Sequence, residues 1–323
     1  RGRTWQRYDG NPVLSHPLRD PRVFRYEPAG KWIMVLFDET EADGRHYRLF
    51  SSDNLLDWQK AGIIRDMYEC PDMFELPVDG DPGDTRWVVV DGNGDYLIGD
   101  FDGRNFTPES TKLTGDFGRH FYATMTWHEF PGQPWRRVQI AWMRAYEMAL
   151  DMPFSQQLSF PCDLSLRTTG QGIRLCRNPI PEIQTLYSDT YEISTTDVAD
   201  VLAFDRIDDA AMDVEIVVDL RRTTCSRFRF NVNGYPVGFN LSDRKMNVYG
   251  KLTDWEPGHD TLRVRMLADV CSLELFIDDG RMVFSNSHLP VEARSPLRLH
   301  VEEGILSLES LTIHTLESMW RET

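Results

Sequence analysis

Short apolar runs recur through the first half of the chain. Lys31-Trp32-Ile33-Met34-Val35-Leu36-Phe37, Arg86-Trp87-Val88-Val89-Val90-Asp91 and Arg137-Val138-Gln139-Ile140-Ala141-Trp142-Met143 are short, rich in β-branched and aromatic types, and flanked by turn residues, so each reads as a strand. Their apolar positions are consecutive, which predicts burial on both faces. Asp79-Gly80-Asp81-Pro82-Gly83-Asp84, Gly92-Asn93-Gly94-Asp95 and Asp102-Gly103-Arg104-Asn105 are the turn signals between and after them. The second half alternates instead. Ser226-Arg227-Phe228-Arg229-Phe230-Asn231-Val232-Asn233, Leu262-Arg263-Val264-Arg265-Met266 and Leu297-Arg298-Leu299-His300-Val301 have period two, the mark of strands with one wet and one buried face. In Leu306-Ser307-Leu308-Glu309-Ser310-Leu311-Thr312-Ile313 the register slips at Glu309–Ser310, which predicts a bulge. No capped stretch of helical period is long enough to stand as a helix, so the fold class is all-β.

The change of pattern places a domain boundary near Asn178-Pro179-Ile180-Pro181, within about ten residues. Strand–turn units spaced by roughly 40–50 residues before it suit the blades of a β-propeller, and the alternating strands after it suit a β-sandwich. Residues 1–180 are therefore expected to be an N-terminally incomplete propeller and residues 181–323 a sandwich domain.

Composition narrows the partners. A chain of 323 residues, 41% apolar and 27% charged, is ordinary for a globular protein, and no apolar run is long enough to span a membrane as a helix. Asp and Glu outnumber Lys and Arg 51 to 35, a formal charge of −16. That field repels nucleic acid, and no basic patch offsets it, whereas a neutral sugar is indifferent to it. The five cysteines, Cys70, Cys162, Cys176, Cys225 and Cys271, stand far apart with no C-x-x-C pair and read as small apolar residues. The eight histidines show no metal-binding spacing. Asp79, Asp81 and Asp84 offer carboxylate oxygens of the kind calcium takes, but they read as a solvated hairpin tip, so no metal is expected. G-x-S-x-G, P-loop and H-E-x-x-H motifs are absent. Asn105-Phe106-Thr107 and Asn240-Leu241-Ser242 fit the glycosylation sequon, a pattern short enough to arise by chance.

Two carboxylates have more informative neighbours. Arg19-Asp20-Pro21 precedes a strand expected to begin at Val23, with Asp20 ending a turn; a guanidinium beside a carboxylate suits the vicinal hydroxyls of a sugar. In Tyr68-Glu69-Cys70-Pro71-Asp72, Glu69 precedes a residue that Pro71 biases toward extended backbone. Apolar and aromatic neighbours there would raise its pKa by desolvation and make it a proton donor near neutrality. On spacing alone each signal is weak, since an Asp or Glu beside a proline is far more often a turn former.

These motifs, in order, resemble those of glycoside hydrolase family 32, the β-fructosidases. Arg19-Asp20-Pro21 resembles the family's R-D-P, and Glu69-Cys70-Pro71, fifty residues on, its E-C-P. The opening 3–13 resembles the approach to R-D-P; Asp116-Phe117-Gly118-Arg119-His120-Phe121-Tyr122-Ala123 resembles D-x-G-x-D-F-Y-A; Ala141-Trp142-Met143 resembles G-W-M. Met152-Pro153-Phe154-Ser155-Gln156-Gln157-Leu158-Ser159-Phe160-Pro161 resembles the segment closing the propeller. Ser272 to Gly280, centred on Glu274 and Phe276, resembles the S-x-E-x-F-x-x-x-G signature of the sandwich, and Leu316-Glu317-Ser318-Met319-Trp320 its last strand. Essentially the whole chain is covered.

The resemblance implies a five-bladed propeller with a funnel-shaped site and a following sandwich, acting without cofactor on sucrose, inulin or levan. Family members cleave β-fructofuranosyl bonds with retention, using a nucleophile and an acid/base. Glu69 would be the acid/base and Asp20 would grip fructose hydroxyls in the transition state. Arg19 would orient both, with Cys70, His120, Tyr122 and Tyr146 among the substrate contacts. His120 stands where relatives carry an acid, Tyr146 where many carry Trp, and Pro161-Cys162-Asp163 replaces P-R-E. The family's nucleophile lies in a W-M-N-D-P-N-G motif that does not occur between Arg1 and Thr323. The chain thus reads as part of a longer protein, its first blade supplied from elsewhere or by a second chain or copy; otherwise it would be a fructan-binding protein without turnover. Members of the family are often secreted or periplasmic, and the same location is expected.

Overall fold

The computed structural model describes residues 2–320 apart from 16, 41, 43, 129, 146–153, 205, 206, 208–210 and 290–296. The chain is built of β-strands, with one-turn and two-turn 3₁₀ segments at Glu27–Ala29 and Pro181–Leu186 as its helical elements among the described residues. It packs as two compact units interleaved along the sequence. One comprises Arg1–Pro77, Asp81–Thr114 and Ala123–Met125; the other comprises Val78–Gly80, Gly115–Tyr122 and Thr126–Thr323.

The first unit contains two blade-like antiparallel sheets. Strands β1 (Arg19–Tyr26), β2 (Lys31–Thr40), β3 (Gly44–Ser52) and β4 (Gln59–Arg65) pair in sequence order. So do β5 (Asp72–Val78), β6 (Asp81–Val90), β7 (Tyr96–Phe101) and β8 (Phe106–Pro108). Apolar side chains sit on both faces of the first sheet. Ile33, Val35, Phe37, Tyr47 and Leu49 join Met73, Val89, Leu97 and Phe101 in one core, while Met34, Leu36 and Phe50 pack with Leu14, Leu18 and Trp58. This two-sided burial is what the unbroken apolar run of β2 requires. The β5–β6 connection is shorter than the turn signal suggested: only Asp79 and Gly80 turn, both with positive φ, while Asp81–Asp84 is already strand. An Asp-Gly pair suits a two-residue hairpin because both positions need left-handed backbone.

The second unit contains the hairpin of Cys162–Thr169 with Gly172–Pro179, and two six-stranded sheets that enclose a large apolar core. One sheet is built around Met212–Asp219, Thr261–Ala268 and Leu306–Leu316, the other around Arg227–Val232, Tyr235–Asn240 and Arg298–Glu302. The alternating sequences put Phe228, Phe230 and Val232 inside and Arg227 and Arg229 outside. The bulge expected in the last strand is present: Val217 pairs with Ser310 and Val218 with Leu308, leaving Glu309 as the extra residue.

All five cysteines are free; Cys162, Cys176 and Cys225 are buried, Cys70 and Cys271 partly so. Asp79 accepts the amide of Thr168 and Asp84 pairs with Arg86, so the acidic hairpin residues go to separate partners. No helix among the described residues is long and apolar enough to cross a membrane.

Candidate active site

Arg19, Asp20, Glu69 and Cys70 meet within the first unit. Arg19 opens β1, and Glu69–Cys70 is separated from β5 by Pro71 alone, so both carboxylates stand at the N-terminal ends of the leading strands of successive blades. Arg19 Nη2 donates to Glu69 Oε1 at 2.5 Å, and its Nε lies 3.9 Å from Asp20 Oδ2. The backbone N–H of Cys70 donates to Asp20 Oδ2 at 3.1 Å. All three charged side chains reach solvent: Arg19 is 54% exposed, Asp20 33% and Glu69 21%. The hydrogen bond to Glu69 holds the Arg19 guanidinium above its ordinary pKa, so it is a permanent cation here. Arg19 also lies over the Phe37 ring (4.5 Å), Phe37 meets Tyr68 edge-on (5.6 Å), and Arg45 covers Tyr68 (4.4 Å).

The backbone at the site departs from what the two prolines suggested. Asp20 does not end a turn before a strand at Val23. It lies inside β1, with φ 60° and a register shift between Arg19 and Arg22. Nor is Cys70 extended: Glu69 and Cys70 are both left-handed, with φ 47° and 44°, an uncommon conformation for non-glycine residues and strained before proline. The Arg19–Asp20 pair is also looser than adjacency implied, because the guanidinium is drawn to Glu69.

Hydrogen bonds hold this geometry. The carbonyl of Glu69 accepts from Tyr47 Oη (2.7 Å) and from Gly92 N (3.0 Å), and Gly92 N is shared with the carbonyl of Tyr68 (2.8 Å). Tyr47 is buried, which pushes its pKa well up and keeps the hydroxyl a donor. A Cβ at residue 92 would stand 3.1 Å from Tyr68 O and 3.5 Å from Glu69 Cβ, so glycine permits the close approach. Burial raises the Cys70 thiol to about 11, making it a poor nucleophile beside the carboxylates. Arg22 pairs with buried Asp72 at 3.1 Å, a second tie between β1 and β5. Tyr47, Gly92 and Phe37 were invisible as site residues in sequence: Gly92 read only as a turn signal and Phe37 only as strand core.

His120 and Tyr122 belong to the second unit. His120 Nδ1 accepts from Ser287 N at 3.0 Å. The buried Tyr122 ring has Arg144 over it at 3.9 Å and Trp142 edge-on at 6.1 Å. Tyr146 lies outside the described residues. Several recognised motifs prove to be fastenings within this unit. Asp116 accepts from Ser285 Oγ (2.8 Å) and Gly118 N (2.7 Å) and pairs with buried Arg177; Glu274 accepts from Phe160 N at 2.7 Å; the carbonyl of Gly280 accepts from Arg177 N at 3.0 Å. No group of His, Cys, Asp or Glu among the described residues is arranged to hold a metal ion.

Comparison with known proteins agrees over the full length. The model for the glycosyl hydrolases family 32 N-terminal domain matches residues 1–179, and that for the family 32 C terminal matches residues 182–315. A levanase of Bacillus subtilis (strain 168) is 32% identical over 375 residues, covering 100% of this chain and 54% of the levanase. An extracellular exo-inulinase of Aspergillus niger is 29% identical over 236 residues, covering 59% of this chain and 43% of its own. The chain thus spans about half the length of these relatives. The crystal structure of an exo-inulinase from Aspergillus awamori superposes with a TM-score of 0.79 over 96% of this chain and 71% of that one, at 20% identity. The fold is accordingly all-β, of the propeller-and-sandwich class. The chain belongs to glycosyl hydrolases family 32.

Proposed function

We propose that this chain provides the acid/base half of a retaining β-fructosidase site acting on levan, inulin or sucrose. The observation that supports it most is the Asp20–Arg19–Glu69 cluster, solvent-accessible and braced by Tyr47, Gly92 and the Cys70 amide. In this reading Glu69 gives its proton to the glycosidic oxygen as the C2–O bond of the terminal fructose breaks. A carboxylate nucleophile takes the anomeric carbon, and Glu69 then accepts a proton from the water that releases fructose. Asp20 accepts hydrogen bonds from fructose hydroxyls, stronger as positive charge develops on the ring. Arg19 keeps both carboxylates in place. The W-M-N-D-P-N-G motif that carries the family's nucleophile does not occur in these 323 residues, and that step is assigned to no residue of the chain. We place the protein outside the cytoplasm, secreted or periplasmic.

Reducing-sugar release from levan, inulin and sucrose by the full chain tests this, alongside fructose binding by calorimetry. Glu69→Gln should remove turnover, a loss of at least about a hundredfold, while fructose binding stays within about threefold. Retention of the rate in Glu69→Gln would reject Glu69 as the acid. A wild-type chain that binds levan and releases nothing, even with azide or formate added in place of a carboxylate nucleophile, would favour a fructan-binding role.

A further inference from the structure

The reaction scheme leaves unused an ion pair between a buried carboxylate, Asp91, and an ammonium that reaches solvent, Lys112. Asp91, fully buried at the end of β6, pairs through Oδ2 with Lys112 Nζ at 3.0 Å. Its Oδ1 accepts the amides of Asn93 (2.9 Å) and Asp95 (3.2 Å), and its own N–H donates to Asp95 O, so the carboxylate closes the 91–95 turn on itself. That turn carries Gly92, whose N–H holds the carbonyls of Tyr68 and Glu69. Lys112 also donates to Asp66 O at 2.7 Å. Asp66 is itself left-handed (φ 59°) and donates to Arg45 O. One ammonium therefore ties both ends of the segment 66–70: Asp66 directly, Glu69 through Asp91 and Gly92.

We propose that Asp91 and Lys112 are positioning residues for Glu69, clamping the left-handed Glu69–Cys70 backbone so that the Glu69 carboxyl stays on Arg19 and beside Asp20. The physical case is the cost of the arrangement. Left-handed φ at 66, 69 and 70 persists only where the surroundings over-determine it, and a buried carboxylate such as Asp91 persists only where it is paired and hydrogen-bonded. Burial pushes the Asp91 carboxyl up to about 6, with Lys112 opposing, so the site tolerates a carboxylate chiefly because the ammonium is there. A turn needed only to connect β6 to β7 could be closed by neutral residues. The charged pair is spent on fixing where Gly92 points. The clamp concerns the role of Glu69 and so rests on the reading above, but its mechanical part can be measured without turnover.

The test compares wild type, Asp91→Asn, Lys112→Met and Lys112→Arg as full-length 323-residue chains. Iodoacetamide labelling of Cys70 is followed by peptide mass spectrometry, with Cys271 of the other unit as internal reference for global opening. Asp91→Asn and Lys112→Met should each speed Cys70 labelling relative to Cys271 by about fivefold or more, while Lys112→Arg stays near wild type. The double variant should be no faster than either single, since one clamp is lost in all three. Where levan release is measurable, kcat should fall about tenfold with KM within about twofold, the signature of a misplaced acid with intact binding. Unchanged Cys70-to-Cys271 ratios in both single variants, or a rise at both cysteines alike, would overturn the clamp. Activity surviving Glu69→Gln would instead overturn the role of Glu69 and leave the labelling result to stand by itself.

Discussion

Three non-glycine residues near the carboxylate cluster, Asp20, Glu69 and Cys70, hold left-handed backbone, and their cost is met by named hydrogen bonds. Tyr47→Phe removes the donor to Glu69 O and to Val90 O and should lower stability by about 1–3 kcal/mol, read as a shift of the urea midpoint at constant slope. No shift would mean that water or Gly92 compensates. A second residue-scale prediction concerns Glu274, whose carboxyl burial raises to about 7 from a usual 4.5. The native state then holds this proton more tightly than the unfolded chain does, so its contribution is fully present at acid pH and is lost as pH rises from about 4.5 through 7. The gap corresponds to up to about 3 kcal/mol. Glu274→Gln keeps the acceptor for Phe160 N and should flatten the decline of melting temperature between about pH 5 and 8. An equally steep decline in the variant would assign it to other groups. Asp20 and Glu69 could be picked out in the sequence as members of motifs; their backbone conformation could not, because it is set by partners 20 to 50 residues away.

Hairpins and faces of strands followed from local chemistry. Asp79-Gly80 supplies the paired positive φ values of a two-residue turn, although the signal ran on to Asp84, and period two sorted the sandwich strands correctly. The glycines that dock elements are a different matter. A Cβ at Gly280 would lie 1.9 Å from Arg177 O, and at Gly118 2.3 Å from Ser285 O, both backbone atoms that cannot swing away. Gly280→Ala, which also needs φ 79°, should cost about 3 kcal/mol or more by thermal unfolding. Gly170→Ala, with open space around it, should stay within about 0.5 kcal/mol. Comparable losses at 170 and 280 would show that backbone entropy, not close approach, dominates. The signature around Glu274 and Gly280 is thus explained by docking rather than catalysis.

At the scale of the molecule, the two compact units do not follow the chain in order: residues 115–122 pack with the sandwich although they precede 123–125 of the first unit. The Asp116, Arg177 and Ser285 fastening is the reason, since it ties that segment to the sandwich strand Met282–Ser287. The formal charge of −16 bears on partners. For a neutral fructan, binding should change by less than about twofold between 0.05 and 0.5 M salt, because no counterions are released. A tenfold fall would indicate a charged ligand instead.

The sequence alone determined the all-β class, the contrast between doubly buried and one-sided strands, the places of the tight turns, the Glu309 bulge and the R-D-P and E-C-P motifs that hold the two candidate carboxylates, because each depends on residue type, short-range spacing or a contiguous motif. The tertiary structure decided that Arg19 turns to Glu69 more than to Asp20, that Tyr47 and Gly92 grip the Glu69 carbonyl, and that Lys112 joins Asp91 to the carbonyl of Asp66. Those contacts join residues far apart in the chain, and what fixes them is the packing of one sheet on the next, a many-body outcome that no local pattern encodes.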